Sequence, residues 1–104
     1  MRKRFNARGV VWLYPGTAGW HFLTVPKVTS RTIKKTFGAM ARGWGSLPVI
    51  VTIGKIEWKT SIFPDSKAGA YLLPLKAVVR KKLGINRGDT VSYVLEIRSA
   101  HASE

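Results

Sequence analysis

His21, Ser61 and Asp65 are side chains of the types that supply a general base, a nucleophile and an orienting carboxylate. Ser61 lacks the strand-to-helix turn that exposes a nucleophile. Asp65 follows Pro64, in a setting where aspartate ordinarily accepts backbone N–H bonds. The reading as turn and strand residues therefore outweighs the hydrolytic one, and no residue is assigned as catalytic. The only histidines are His21 and His101, and cysteine is absent. Thiol catalysis, disulfides and thiolate zinc sites are thereby excluded. Two histidines and five scattered carboxylates give no ligand spacing for a metal. The expectation is a protein with neither metal nor cofactor.

Charge is more informative. Eighteen Lys and Arg against five Asp and Glu give a net charge of +13, and a surplus of that size attracts polyanions. Lys76, Arg80, Lys81 and Lys82 fall in one helical stretch. Lys76 and Arg80 share a face, where like charges do not stabilise the helix. A solvated face is the ordinary reason for such a run. Phosphate contact is the sharper one, with Arg2, Lys3 and Arg4 as an N-terminal basic arm. No helix carries Asn, Gln and Arg at base-reading spacing, so contact is expected at the phosphate backbone rather than at base edges.

Four tryptophans accompany these cations. Packing inside a barrel accounts for Trp20 and Trp58. Trp12 alternates away from Val11 and Leu13, and Trp44 stands between Gly43 and Gly45. Exposed indoles beside Arg8, Arg42 and Lys59 could stack nucleobases or cap a pocket. Trp20, His21, Trp58 and Ser61 form the candidate lining of such a pocket.

The elements that must position these residues are mostly strands. Alternation from Phe5 to Leu13, the turn Pro15–Gly19 and a returning strand from Trp20 to Val25 come first. Thr29 or Ser30 caps a helix with Ile33, Phe37 and Met40 on one face. Residues 48–53 and 56–61 form a hairpin across Gly54-Lys55, and 63–69 read as a loop. Tyr71–Leu73 is a strand, Leu75–Leu83 a helix burying Leu75, Val78, Val79 and Leu83, and Gly84 its left-handed cap. Val91, Tyr93, Leu95 and Ile97 face inward on the last strand. Strand, Pro26, helix, strand parallels strand, Pro74, helix, strand, and two such units could close one small barrel with its strand edges hidden.

At 104 residues the chain is expected to form one domain, with residues 1–4 as a flexible arm and 99–104 as a flexible tail. The basic start lacks the apolar run of a signal peptide or membrane span, which points to a cytoplasmic protein without membrane insertion.

The segment from Leu72 to Glu96 resembles the strand-helix-Gly-Asp-strand unit of AbrB-type swapped-hairpin transcription factors. More closely, the chain is similar to a prokaryotic family known only as a domain of unknown function. The marks are Trp20-His-Phe, Thr52-Ile-Gly, Trp58-Lys-Thr-Ser-Ile-Phe-Pro-Asp65 and Tyr71-Leu-Leu-Pro-Leu-Lys76, with Gly88-Asp89. The resemblance implies a mainly β fold, a double-split barrel of about six strands capped by two short helices. It implies no activity.

The expectation is thus a non-enzymatic binding module that contacts DNA or RNA through Arg2, Lys3, Arg4, Lys76, Arg80, Lys81 and Lys82. The alternative is a small-molecule binder or enzyme using Trp20, His21, Trp58 and Ser61. Two half-units in one chain point to a monomer or a weak homodimer.

Overall fold

The structure is a computed structural model that describes residues 3–16 and 19–98. Arg2, His101 and the expected tail at 99–104 lie outside the described residues. The strands are β1 (Lys3–Val10), β2 (Trp12–Leu13), β3 (His21–Thr24), β4 (Leu47–Ile53), β5 (Ile56–Asp65), β6 (Ala70–Pro74) and β7 (Thr90–Ile97). Helix α1 (Lys27–Phe37) follows β3, and α2 (Ala77–Leu83) follows β6. The fold is mainly β. Its seven strands run in the order β1-β7-β4-β5-β6-β3-β2, and every neighbouring pair is antiparallel.

The two edges of this order, β1 and β2, are separated in sequence by Val11 alone. The sheet therefore curls until its edges meet at one residue. Val11 donates its N–H to the Asp89 carbonyl (2.9 Å) and accepts from the Gly88 N–H (2.8 Å), so the ladder is carried across the break. β5 makes the matching crossing, since residues 56–62 pair with β4 and residues 63–65 pair with β6. The expected loop from Phe63 is strand as far as Asp65. Pro64 is tolerated there although it lacks an N–H, and opposite it the Tyr71 N–H donates to the Ser30 hydroxyl.

Alternation decides what faces inward. Phe5, Ala7 and Val11, then Val49 and Val51, then Trp58 and Ile62, and Tyr93 and Leu95 fill the interior with Leu23, Leu73 and Ile33 of α1. Each fully buried aliphatic side chain contributes about 1.5–3 kcal/mol of transfer free energy.

The chain builds this architecture twice. β1–β2, β3, α1 and β4 are matched in order and pairing by β5, β6, α2 and β7. Val25 N–H donates to the Tyr71 carbonyl and Leu75 N–H to the His21 carbonyl, both at 2.9 Å. That exchange equates Val25 with Leu75 and His21 with Tyr71. Pro26 is therefore matched by Lys76, and Pro74 by Thr24; the two prolines do not correspond. Pro26 is the N-cap of α1, and Pro74 is the last residue of β6.

Three local expectations are corrected. Lys3 and Arg4 belong to β1 rather than to a free arm, because residues 3–10 pair in register with β7. Neither Thr29 nor Ser30 caps α1, which starts at Lys27; Ser30 is buried in its first turn. Val78 is 62% exposed, since α2 starts at Ala77 and turns Val79 inward instead.

Candidate functional site

Leu75 anchors the site. It is buried, and its N–H bond to the His21 carbonyl ties the chain ahead of α2 to β3. Lys76 and Ala77 consequently stand at the edge of a cleft of about 730 Å³ whose other walls are Gly19–His21, Lys59–Ser61 and Phe63 of β5, Pro48 and Arg98. Arg80 follows one turn along α2, and its Nε donates to the Leu75 carbonyl at 3.1 Å. Nε carries one of the five guanidinium N–H donors, so four remain for a ligand.

The β5 wall comes from the strand's outward face. Glu57, Lys59 and Ser61 alternate with the inward Trp58 and Ile62. Ser61 pairs with Pro48 of β4, and the Arg98 N–H donates to the Pro48 carbonyl at 2.9 Å. One row across β5 and β4 thus leads from Ser61 through Pro48 to Arg98, just past the end of β7. His21 Nδ1 lies 2.7 Å from the Gly19 carbonyl oxygen. A carbonyl only accepts, so Nδ1 is the donor in this contact.

Four cations, Lys59, Lys76, Arg80 and Arg98, line this cleft together with Trp20, His21 and Phe63. No Asp or Glu is among the described lining residues, and no carboxylate of the described residues forms an ion pair with the four cations. The arrangement favours an anion with a flat or apolar part. Unpaired cations concentrated in one concave place raise the local potential well above that of the same charges spread over a surface.

The equivalent position in the other half shows what closure looks like. There Gly69, Ala70 and Tyr71 take the places of Gly19, Trp20 and His21, and Ser30 takes that of Arg80. The Ser30 hydroxyl donates to the Val25 carbonyl (3.1 Å) and accepts the Tyr71 N–H (3.0 Å), which stitches α1 to β6. The residual cleft is about 340 Å³, and Asp65 is part of its lining. A further cleft of about 630 Å³ beside Pro26 also has no carboxylate among its described lining residues, but Arg8 is the one cation among them.

The structure brings Trp20, His21, Ser61, Lys76 and Arg80 together, which merges the two sets of residues that the sequence left separate. Trp58 is a correction: it packs against the core, because its place on β5 alternates inward with Ile56 and Ile62. Lys81 and Lys82 are exposed on α2 and do not line the cleft. Arg4 donates through Nε to Glu96 Oε1 at 3.2 Å, and neither it nor Lys3 reaches the lining. Asp65 lines the smaller cleft and accepts the Lys67 N–H, so it does not join Ser61 and His21. Among the described residues no three of His, Cys, Asp and Glu cluster as metal ligands. Phe63 and Arg98 are the additions. Sequence alternation could have placed Phe63 outward, but the row joining Ser61 to Arg98 depends on long-range strand pairing.

This chain belongs to the family described as a domain of unknown function (DUF1905), whose model matches residues 7–95. No curated protein matches the chain. The matched range contains every lining residue of the large cleft except Arg98, and it excludes Lys3 and Arg4.

Proposed function

We propose that this protein is a non-enzymatic binding module that holds nucleic acid by its phosphates in the cleft between β3, β5 and α2. The observation that carries this reading is the convergence of Lys59, Lys76, Arg80 and Arg98 on one concave surface with no carboxylate among its described lining residues. Phosphates bound there release counterions, which supplies affinity independent of base sequence. The overall charge of +13 favours the encounter at long range.

The fold is read as an AbrB-like double-split barrel, with β1–β2 and β5 as the long strands shared between two small sheets and the helices as caps. Two half-units in one chain would complete as a monomer what AbrB chains complete by dimerising. The kinship of shape adds an analogy with a DNA-binding group, and function rests on the site instead. No helix of the described residues is long and apolar enough to cross a membrane. The module is taken to work in the cytoplasm.

A second reading keeps the same cleft for one small anionic molecule, since about 730 Å³ falls in the size range of ligand pockets. The two readings part on salt and on ligand length. Fluorescence anisotropy of labelled DNA and RNA, titrated between about 50 and 200 mM salt, should give dissociation constants on the order of micromolar that weaken steeply as salt rises. Changing both Lys76 and Arg80 to Ala should lower the salt slope by about 2, and changing Lys81 and Lys82 should lower it less. No binding at the lower salt would overturn the proposal.

A further inference from the structure

The outer faces of the two halves of the sheet differ in chemistry. Around β1, β4 and β7 the outward residues are mixed and carry no aromatic ring: Arg4, Asn6, Arg8, Thr52 and Ser92 share the face with the aliphatic Val10, Ile50 and Val94. Around β2, β3 and the end of β5 they are aromatic: Trp12, Tyr14, Trp20, Phe22 and Phe63. Three rings meet on Phe22. Trp12 lies tilted at 5.2 Å between centroids, Trp20 stacks at 5.9 Å, and Tyr14 meets it edge-on at 6.2 Å. Trp12 is pinned by a 2.9 Å bond from Nε1 to the Thr24 hydroxyl. Phe22 is buried beneath its neighbours, yet Trp20 is 54% exposed and Tyr14 51%. Leaving a contiguous aromatic surface in water is unfavourable unless something covers it.

We infer that the nucleic acid received by the basic cleft is single-stranded, with its bases stacked on this aromatic face and its phosphates against Lys59, Lys76, Arg80 and Arg98. The inference rests on the phosphate-binding reading above and adds the form of the ligand. Trp20 and Phe63 belong to both surfaces, since they line the cleft as well as the aromatic face. A duplex hides the faces of its bases in its own stack, whereas a single strand offers them, and each base stacked on an aromatic ring is worth about 1–3 kcal/mol. Tyr14 and Trp12 continue the face beyond the cleft, which suits more than one base and exceeds what a mononucleotide needs. A second copy of the chain is a poor cover. Two such faces brought together would also bring two sets of four cations together, with no carboxylate among the described residues of either lining to pair with them.

The test uses the full chain, fluorescein-labelled oligothymidylate, a duplex of the same length, and thymidine monophosphate as competitor. Wild type is expected to bind the single strand at least tenfold more tightly than the duplex at equal salt. Trp20→Ala is expected to lose about tenfold or more on the single strand, well beyond its loss on the duplex, while Tyr14→Ala, outside the cleft lining, is expected to leave duplex affinity and salt slope unchanged. Tyr14→Ala should lose less, and Trp20→Phe should retain most of the affinity. Circular dichroism and thermal melting confirm that the variants fold. Equal affinity for both forms with no effect of Trp20→Ala would overturn the inference and leave the phosphate-binding reading standing. Absence of binding to either form would end both. Competition by the monophosphate as strong as by the oligomer, or a dimer in light scattering that Trp20→Ala dissolves, would also overturn the inference.

Discussion

Ser30 and Arg80 occupy equivalent places in the two halves of the fold, and each donates a 3.1 Å side-chain bond back to the carbonyl of an equivalent residue, Val25 or Leu75. Ser30 is 3% exposed and also accepts the Tyr71 N–H, whereas Arg80 lies at the open mouth of the cleft. One repeated position is therefore a seam in the first half and a cleft-lining cation in the second. Ser30→Ala should destabilise the fold by about 1–3 kcal/mol in urea unfolding, because the buried Tyr71 N–H loses its partner. Arg80→Ala should cost at most about 1 kcal/mol and act mainly on binding. Equal losses for the two variants would contradict the division of roles.

Trp44 and Gly45 form a second testable pair. Trp44 is 94% exposed and takes a left-handed conformation, φ 64°. Residues other than Gly and Asn seldom adopt it, at a cost of roughly 1–2 kcal/mol. Trp44→Gly is thus expected to leave stability unchanged or to raise it slightly. Gly45→Ala should destabilise clearly, since φ is 75° and a Cβ would stand 2.9 Å from Pro64 Cγ. Thermal melting of both variants checks the contrast; a marked loss for Trp44→Gly would mean that the indole supports the fold.

Tyr93 carries a pH prediction. Its hydroxyl is buried without a hydrogen-bond partner among the described residues, and burial pushes the phenol well above the ordinary value of 10.0. Below pH 10 both folded and unfolded chains keep the proton, and the full stability is present. Above it the unfolded chain loses the proton first, so stability falls as pH climbs towards the raised folded value. Tyr93→Phe should reduce this alkaline loss and cost less than about 1 kcal/mol at neutral pH, because no bond is removed. Urea unfolding of both proteins at about pH 7 and pH 11 reads the difference. An unaltered alkaline decline would contradict the assignment to Tyr93.

Much of the strand framework was legible from alternation and turns. The alternation from Phe5 to Val11 and from Val91 to Ile97 matches the inward faces, and Gly54 turns the β4–β5 hairpin at φ 59°. The cleft was legible only in parts. His21 lies on β3 with Trp20 just before it, Ser61 and Lys59 on β5, and Lys76 and Arg80 at α2; the β3–β6 and β5–β6 pairings that unite them are long-range. Local pattern shows which residues share a face without showing which faces meet. Trp20 illustrates the limit, because an aromatic side chain in a short strand fits the core as well as the outer surface. Trp58 illustrates the reverse: its alternation with Ile56 and Ile62 already pointed inward.

The most direct test of the central claim is a ¹⁵N–¹H NMR titration of the full chain with a short DNA oligonucleotide at low salt. The account predicts that the perturbed amides cluster at Gly19–His21, Lys59–Ser61, Phe63, Lys76–Ala77, Arg80 and Arg98, and that added salt reverses the shifts. Perturbations centred instead on the smaller cleft at Ser30, Arg31 and Lys34, or spread over all basic surfaces without a focus, would contradict it.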